Sequence, residues 1–519
     1  MIDRVLEAER LMARRAWREG HALCLQALEA DPNDARPWFL LGVLTAEHDN
    51  PVKAAELFGK AVALDPRVAR HHAHLARCLT ALNRQDEARA AAERAIALDP
   101  QDALTLDTIG VVFSRTGLHE RAADFFERAV TLEPGNAGFQ QNLGTARQFA
   151  GDFEGAESAL REAARLDPGL YRVWWALAQM SALTEADQPV ARLESLFPAD
   201  PDEDPDRALH VGHALARLAE DRKDHPAALD WLGRAKAARR RQVGYQPARD
   251  EALFAAARAT VGAPAAKASD ASPIFIVGMP RTGTTLVDRI LSSHPDVVSV
   301  GERTDFALIL KRMSGTPSAL VLDEATLAAA SDGLDLAEAG RRYLEAMAPL
   351  AGGPRSLDKM PLNVIYAGLI HRALPNARIV CLRRHPMDAA LSNYRQLFAT
   401  RFPYYDYALG LEDAARYTVG FERLAEHWAA SLPADRYLNF SYEGLVADQE
   451  GQTRRLLAHC GLTWDPACLD FHENAAPVAT ASAVQVRQPL NAASVGRWKR
   501  HGAALEPMAA VFRAAGVVI

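Results

Sequence analysis

PIFIVGMPRTGTT, residues 273–285, runs straight into the helically spaced LVDRILSSH. Its first apolar run, Ile274 to Val277, suits a strand buried on both faces of a parallel sheet. Strand, glycine-containing turn and helix together aim backbone N–H groups and a helix dipole at an anion. The spacing from Gly278 to Thr285 equals G-x-x-x-x-G-K-[ST], except that Thr284 stands where lysine belongs. A nucleoside triphosphatase needs that lysine, and a strand-end acid to hold magnesium. The next candidate strand, ARIVCLRR at 377–384, ends instead in Arg383 and Arg384. Arg281 adds a planar fork of donors inside the turn, suited to bidentate oxygen contacts. The turn, with Arg281, Thr282, Gly283, Thr284 and Thr285 as its binding residues, therefore reads as a cradle for a phosphate ester held without a metal.

Downstream, RRHPMDAALSNY sets Arg384 and Ser392 eight residues apart across a strand end and a helix start. An arginine fork and a hydroxyl at a helix N-terminus suit a second phosphate. These two motifs, about 100 residues apart, together resemble the 5′-phosphosulfate loop and the 3′-phosphate site of sulfotransferases that use 3′-phosphoadenosine 5′-phosphosulfate (PAPS). The resemblance runs from Pro273 nearly to the C-terminus and is closest to the tyrosylprotein sulfotransferase branch and its bacterial repeat-bearing relatives. It implies a three-layer α/β, P-loop-like domain around a central parallel sheet. It also implies PAPS as donor, 3′-phosphoadenosine 5′-phosphate (PAP) as product, no metal, and transfer to an acceptor hydroxyl, peptide tyrosine among them.

The same resemblance assigns roles at the reacting centre. In that branch the general base is a glutamate 21 residues after the loop arginine, which here is Glu302 in SHPDVVSVGER; the other reading of Glu302 is a structural ion-pair partner. His294 is a competing base, although Ser-His-Pro closes the helix and capping explains it more simply. Lys359, in LDKMPLN, matches a lysine placed between donor phosphate and transferred group. QPLNAASVGRWKR at 488–500 resembles the segment that closes over the 3′-phosphate, with Ser494, Arg497 and Lys499 as donors. Tyr442, in FSYEGL, matches a tyrosine near the adenosine and equally suits a core position. Asp388 reads as a helix N-terminal charge.

Upstream, an acidic-Pro pair recurs every 34 residues, at Asp31-Pro32, Asp65-Pro66, Asp99-Pro100, Glu133-Pro134 and Asp167-Pro168. Small residues keep the same step at Gly42, Ala76, Gly110, Gly144 and Ala178, and at Ala27, Ala61, Ala95, Ala129 and Ala163. Proline ends one helix, and small residues let two helices approach. With helical apolar spacing between these marks, the pattern resembles the tetratricopeptide repeat family, a helical superhelix whose concave face commonly holds peptides. A scaffold that only packs on its neighbour is the other reading. The expected organisation is an array over 1–204, a helical capping or connecting segment over 205–262, a linker over 263–272 and the sulfotransferase-like domain over 273–519.

The charge of −7 gives no general attraction to polyanions, which argues against nucleic acid as a partner. Five scattered cysteines suit a reducing compartment rather than a disulfide framework. The charged N-terminal stretch offers no signal-peptide core, and no run reaches the roughly 20 apolar residues of a membrane span, so the expected compartment is the cytoplasm. The competing functions are a nucleotide kinase-like enzyme, disfavoured by the missing lysine and acid, and an interaction scaffold whose C-terminal domain is non-catalytic. The aromatic run Tyr394, Phe398, Phe402, Tyr404, Tyr405 and Tyr407 reads either as an apolar acceptor cleft or as core.

Overall fold

The computed structural model describes residues 4–82, 84–265, 269–318, 320–350, 354–400, 402–474 and 485–519. It forms two compact units, Met1–Leu183 and Thr184–Ile519. The first is a stack of helical hairpins such as Ala35–Glu47 with Pro51–Leu64, Ala103–Arg115 with His119–Leu132, and Ala137–Ala150 with Phe153–Leu166. The 34-residue marks have the expected jobs. Asp31, Asp65, Glu133 and Asp167 are C-caps, each donating its N–H to the carbonyl of the recurring alanine four residues earlier. A Cβ on Gly42 or Gly110 would lie 2.7 Å from the ring of Phe58 or Phe126, and one on Gly144 would lie 2.7 Å from Leu160. These positions admit nothing larger because the two helices of a hairpin meet there.

The second unit begins with helices Pro189–Leu196, Pro205–Asp221, His225–Val243 and Pro247–Arg258. The expected array boundary at 204 is therefore not where the units divide. After Tyr171 the 34-residue spacing fails, and the apolar residues that follow find a different partner. Phe254 and Ala257 share a core with Phe275 and Val277, and Phe254 packs 5.1 Å from Tyr417. The expected linker also lies against this unit: Ala265 N–H donates to the Arg372 carbonyl, and Ser272 Oγ donates to the Asn376 carbonyl. Residues 266–268 of that segment lie outside the described residues.

Five parallel strands follow: β1 (Ile274–Gly278), β2 (Val297–Gly301), β3 (Arg355–Asp358), β4 (Arg378–Arg383) and β5 (Tyr437–Ser441), in the order β2-β3-β1-β4-β5. Phe275, Val277, Ile379 and Cys381 point into one core, and Ile274, Ile276, Val380 and Leu382 into another. Apolar layers on both faces explain why these strands read as unbroken apolar runs rather than alternating ones. All five cysteines are buried free thiols. No helix among the described residues is long and apolar enough to cross a membrane.

Candidate active site

Each strand hands one expected site residue to the same end of the sheet. The turn bearing Arg281 follows β1, Glu302 follows β2, Lys359 follows β3, Arg384 follows β4, and Tyr442 follows β5. The C-terminal edge of an open parallel sheet, where strand order reverses, is the usual ligand crevice of this architecture.

The turn after β1 is tightly specified. Arg281 adopts a left-handed φ of 65°, and Gly283 caps the helix Thr284–Ser292 with φ 107°. A Cβ on Gly283 would sit 2.7 Å from Cδ2 of Tyr442, so only glycine lets that ring close on the turn. Thr282 Oγ1 donates to the Met279 carbonyl at 2.7 Å, and Thr284 and Thr285 are buried in the first helical turn. Asn393, fully buried, fixes the turn from outside. Its Nδ2 donates to the Pro280 carbonyl at 2.8 Å, while its Oδ1 accepts from the Tyr407 hydroxyl at 2.8 Å. Burial, reinforced by Arg395 and Arg384, lowers the Arg281 guanidinium to about 10.

The second motif converges on the first. Arg384 Nη1 donates to the Arg281 carbonyl at 3.1 Å and to Ser392 Oγ at 3.3 Å, and Nη2 donates to the Ser494 carbonyl. Its guanidinium lies 4.9 Å from the Tyr442 ring. Tyr442 thus lies beside both motifs from a buried position.

The closing segment is held by a residue whose role the sequence did not suggest. Asp388, almost fully buried, accepts from the N–H of Gly496 at 2.7 Å and of Trp498 at 2.9 Å. It ties the C-terminal segment to the helix Pro386–Tyr394 that carries Ser392. Trp498 stacks on His385 at 5.5 Å. Of the three donors expected here, Ser494 reaches the Arg384 cluster. Arg497 approaches Glu220 at 3.7 Å, and its guanidinium is lowered to about 10, chiefly by burial. Lys499 is exposed beside Trp498.

Across the crevice, buried Lys359 donates to Glu302, whose side chain is 44% exposed. Glu302 is thus an ion-pair partner of Lys359 and remains partly open to solvent. Asp288, buried and bonded by Ser299 Oγ at 2.6 Å, lies within electrostatic reach of Lys359. His294 is structural: Nδ1 accepts from the Asp296 N–H at 3.1 Å, and Nε2 meets the Thr463 carbonyl at 3.1 Å. A strand-end acid does exist, Asp358 on β3, contrary to the expectation drawn from ARIVCLRR alone. It accepts from the Tyr343 hydroxyl at 2.9 Å, and burial raises its carboxyl to about 7. That setting suits a protonated core acid rather than a magnesium ligand.

A lysine-free anion turn and an arginine–serine motif thus meet at one end of a five-stranded parallel sheet. Residues 273–466 match the model of the sulfotransferase family and residues 45–105 that of the tetratricopeptide repeat, so the chain carries both. Over 348 residues it is 31% identical to an uncharacterised protein of Aquifex aeolicus (strain VF5), covering 64% of this chain and 44% of that one. Over 245 residues it is 27% identical to the protein-tyrosine sulfotransferase of Drosophila melanogaster, covering 43% of this chain and 46% of that protein. The chain thus spans less than half the length of these two relatives. The crystal structure of PilW, a type IV pilus biogenesis factor, is 21% identical and aligns with 38% of this chain and 93% of its own, at a TM-score of 0.34.

Proposed function

We propose that the second unit transfers a sulfuryl group from PAPS to an acceptor hydroxyl, without a metal. The contact from Arg384 to both the Arg281 carbonyl and Ser392 carries this reading. It brings the turn after β1 and the motif after β4 together, as binding of both ends of one doubly phosphorylated adenosine would require. The fit with such a ligand is supported by Arg384 Nε, buried and without a hydrogen-bond partner among the described residues. It is supported further by the nearness of Arg384 to Arg281, which helps to depress the Arg281 guanidinium, while the neighbouring Arg395 is itself paired with Glu220.

In this reading the backbone of residues 281–285 and Arg281 hold the 5′ end, and Arg384, Ser392 and Ser494 the 3′ end, with Tyr442 beside the adenosine. Arg497 and Lys499 are supporting donors from the closing segment. When bound, the donor supplies a sulfuryl group on its 5′-phosphate. Catalysis then rests on positioning and charge stabilisation. Glu302 takes the acceptor's proton, and Lys359, released from Glu302 toward the donor, offsets charge on the leaving oxygen. The names of the relatives put peptide tyrosine first among acceptors, with the repeats as the peptide-holding element.

Calorimetric titration tests the donor assignment. PAP should bind without magnesium and more tightly than ATP; magnesium-dependent binding of ATP in preference to PAP would overturn it. The Glu302–Lys359 ion pair favours a second reading, in which Glu302 only anchors the lysine. A Glu302→Gln variant that keeps PAP affinity and loses turnover supports the base, whereas full turnover removes Glu302 from that role.

A further inference from the structure

Lys236 lies on the helix His225–Val243, outside the segment that matches the sulfotransferase family. Its side chain is 2% exposed. Its ammonium is ringed by backbone carbonyls: it donates to those of Tyr394, Gln396 at 3.3 Å and Ala408 at 2.7 Å, and it sits 4.8 Å from the Tyr394 ring. Burying an ammonium among carbonyls, without a carboxylate, is costly, and an apolar side chain of similar length would satisfy packing more cheaply. The three carbonyls belong to the two ends of one connection, between the helices Pro386–Tyr394 and Leu411–Ser431. Lys236 therefore ties the neck of a loop.

The far arm of that loop comes near Glu302. Tyr405 is within electrostatic reach of Glu302 and stacks on Phe398 with ring centroids 4.4 Å apart and planes 12° apart. A second cation of the same helix, Arg239, donates to the Thr400 carbonyl at 2.8 Å. We propose that Lys236 is a positioning residue that fixes the aromatic Phe398–Tyr405 wall beside Glu302 and so sets the acceptor side of the site. The helices ahead of the family-matched segment are then part of acceptor recognition. The link to acceptor binding rests on the sulfuryl-transfer reading above; the link to loop order does not.

The test uses the full chain and Lys236→Met, with Arg239→Ala as a milder variant in case the first folds poorly. Hydrogen exchange is read at amides 396–400, 402 and 404–409. Exchange there should accelerate about tenfold in Lys236→Met, and less in Arg239→Ala, with amides 281–285 unchanged. With PAPS and a peptide carrying a single tyrosine, the KM for peptide should rise about tenfold while kcat and PAP affinity stay within about twofold. Unchanged exchange in the loop, or a loss of PAP affinity parallel to a general loss of protection, would overturn the proposal. Absence of peptide turnover by the unaltered protein would count against the peptide acceptor, and the exchange result would still decide the role of Lys236.

Discussion

Gly283→Ala is the sharpest probe of the turn after β1. The native φ of 107° lies in the left-handed half of conformational space, where an L-residue costs roughly 1–2 kcal/mol. The new Cβ would also stand 2.7 Å from Cδ2 and 3.3 Å from Cε2 of Tyr442. The ring is buried against Arg384 and must shift within a packed layer, an overpacking cost of about 1–3 kcal/mol. Together these predict a destabilisation of about 2–5 kcal/mol. Because the shift pushes Tyr442 and Arg384 out of line with the turn, PAP affinity should fall by about tenfold, or 1.4 kcal/mol. Gly315→Ala is the control: its φ is 63°, but nothing lies within 4 Å of the added carbon. It should lower stability by about 1 kcal/mol and leave PAP binding alone. Thermal melting and calorimetry with PAP read both quantities. If Gly283→Ala melts and binds like the unaltered protein, or if Gly315→Ala loses as much PAP affinity, the steric account of the turn is wrong.

Asp388→Ala removes the acceptor of two part-buried backbone N–H groups, and each bond to a charged group contributes about 1.5–3 kcal/mol; PAP affinity should drop at least about tenfold, measured by calorimetry, and the melting temperature should fall with it. Asp358 has a folded pKa of about 7 against an ordinary 3.8, so the folded state binds the proton more tightly and stability is lost as pH rises from about 4 to 7. Asp358→Asn should therefore gain melting temperature relative to the unaltered protein more at pH 8 than at pH 5; an equal difference at both would contradict that sign. In the first unit, Gly110→Ala drives a methyl into Phe126 and should cost about 1–3 kcal/mol, seen by calorimetric unfolding of that unit.

The repeats were legible because their marks are local: a cap, a proline and a small residue at a fixed step. The turn after β1 and the Arg384–Ser392 pair were legible for the same reason, since each is a short strand-to-helix junction whose chemistry lies within about a dozen consecutive residues. What escaped depends on partners far away in the chain. Asn393 holds a carbonyl 113 residues earlier, and Asp388 holds an N–H 108 residues later. Lys236 reaches carbonyls more than 150 residues on. In a single sequence these look like ordinary polar positions on helices. The division between Leu183 and Thr184 has no mark in the sequence, because helical periodicity continues past Tyr171 and does not say which partner the apolar face will find. In the aromatic run, Tyr394 and Tyr407 are core, while Phe398 and Tyr405 stack on each other, partly buried against that core.

The pairing of β2 with β3 slips between Ser299 and Gly301, so that Val300 has no opposite number on β3. Side chains alternate faces along a strand, and pairing resumes with Gly301 opposite Asp358, which sets Glu302 level with Lys359. The extra residue is thus absorbed before the ion pair is reached, as a local bulge in an outer strand. A deletion of Val300 should therefore straighten that strand and leave Glu302 beside Lys359.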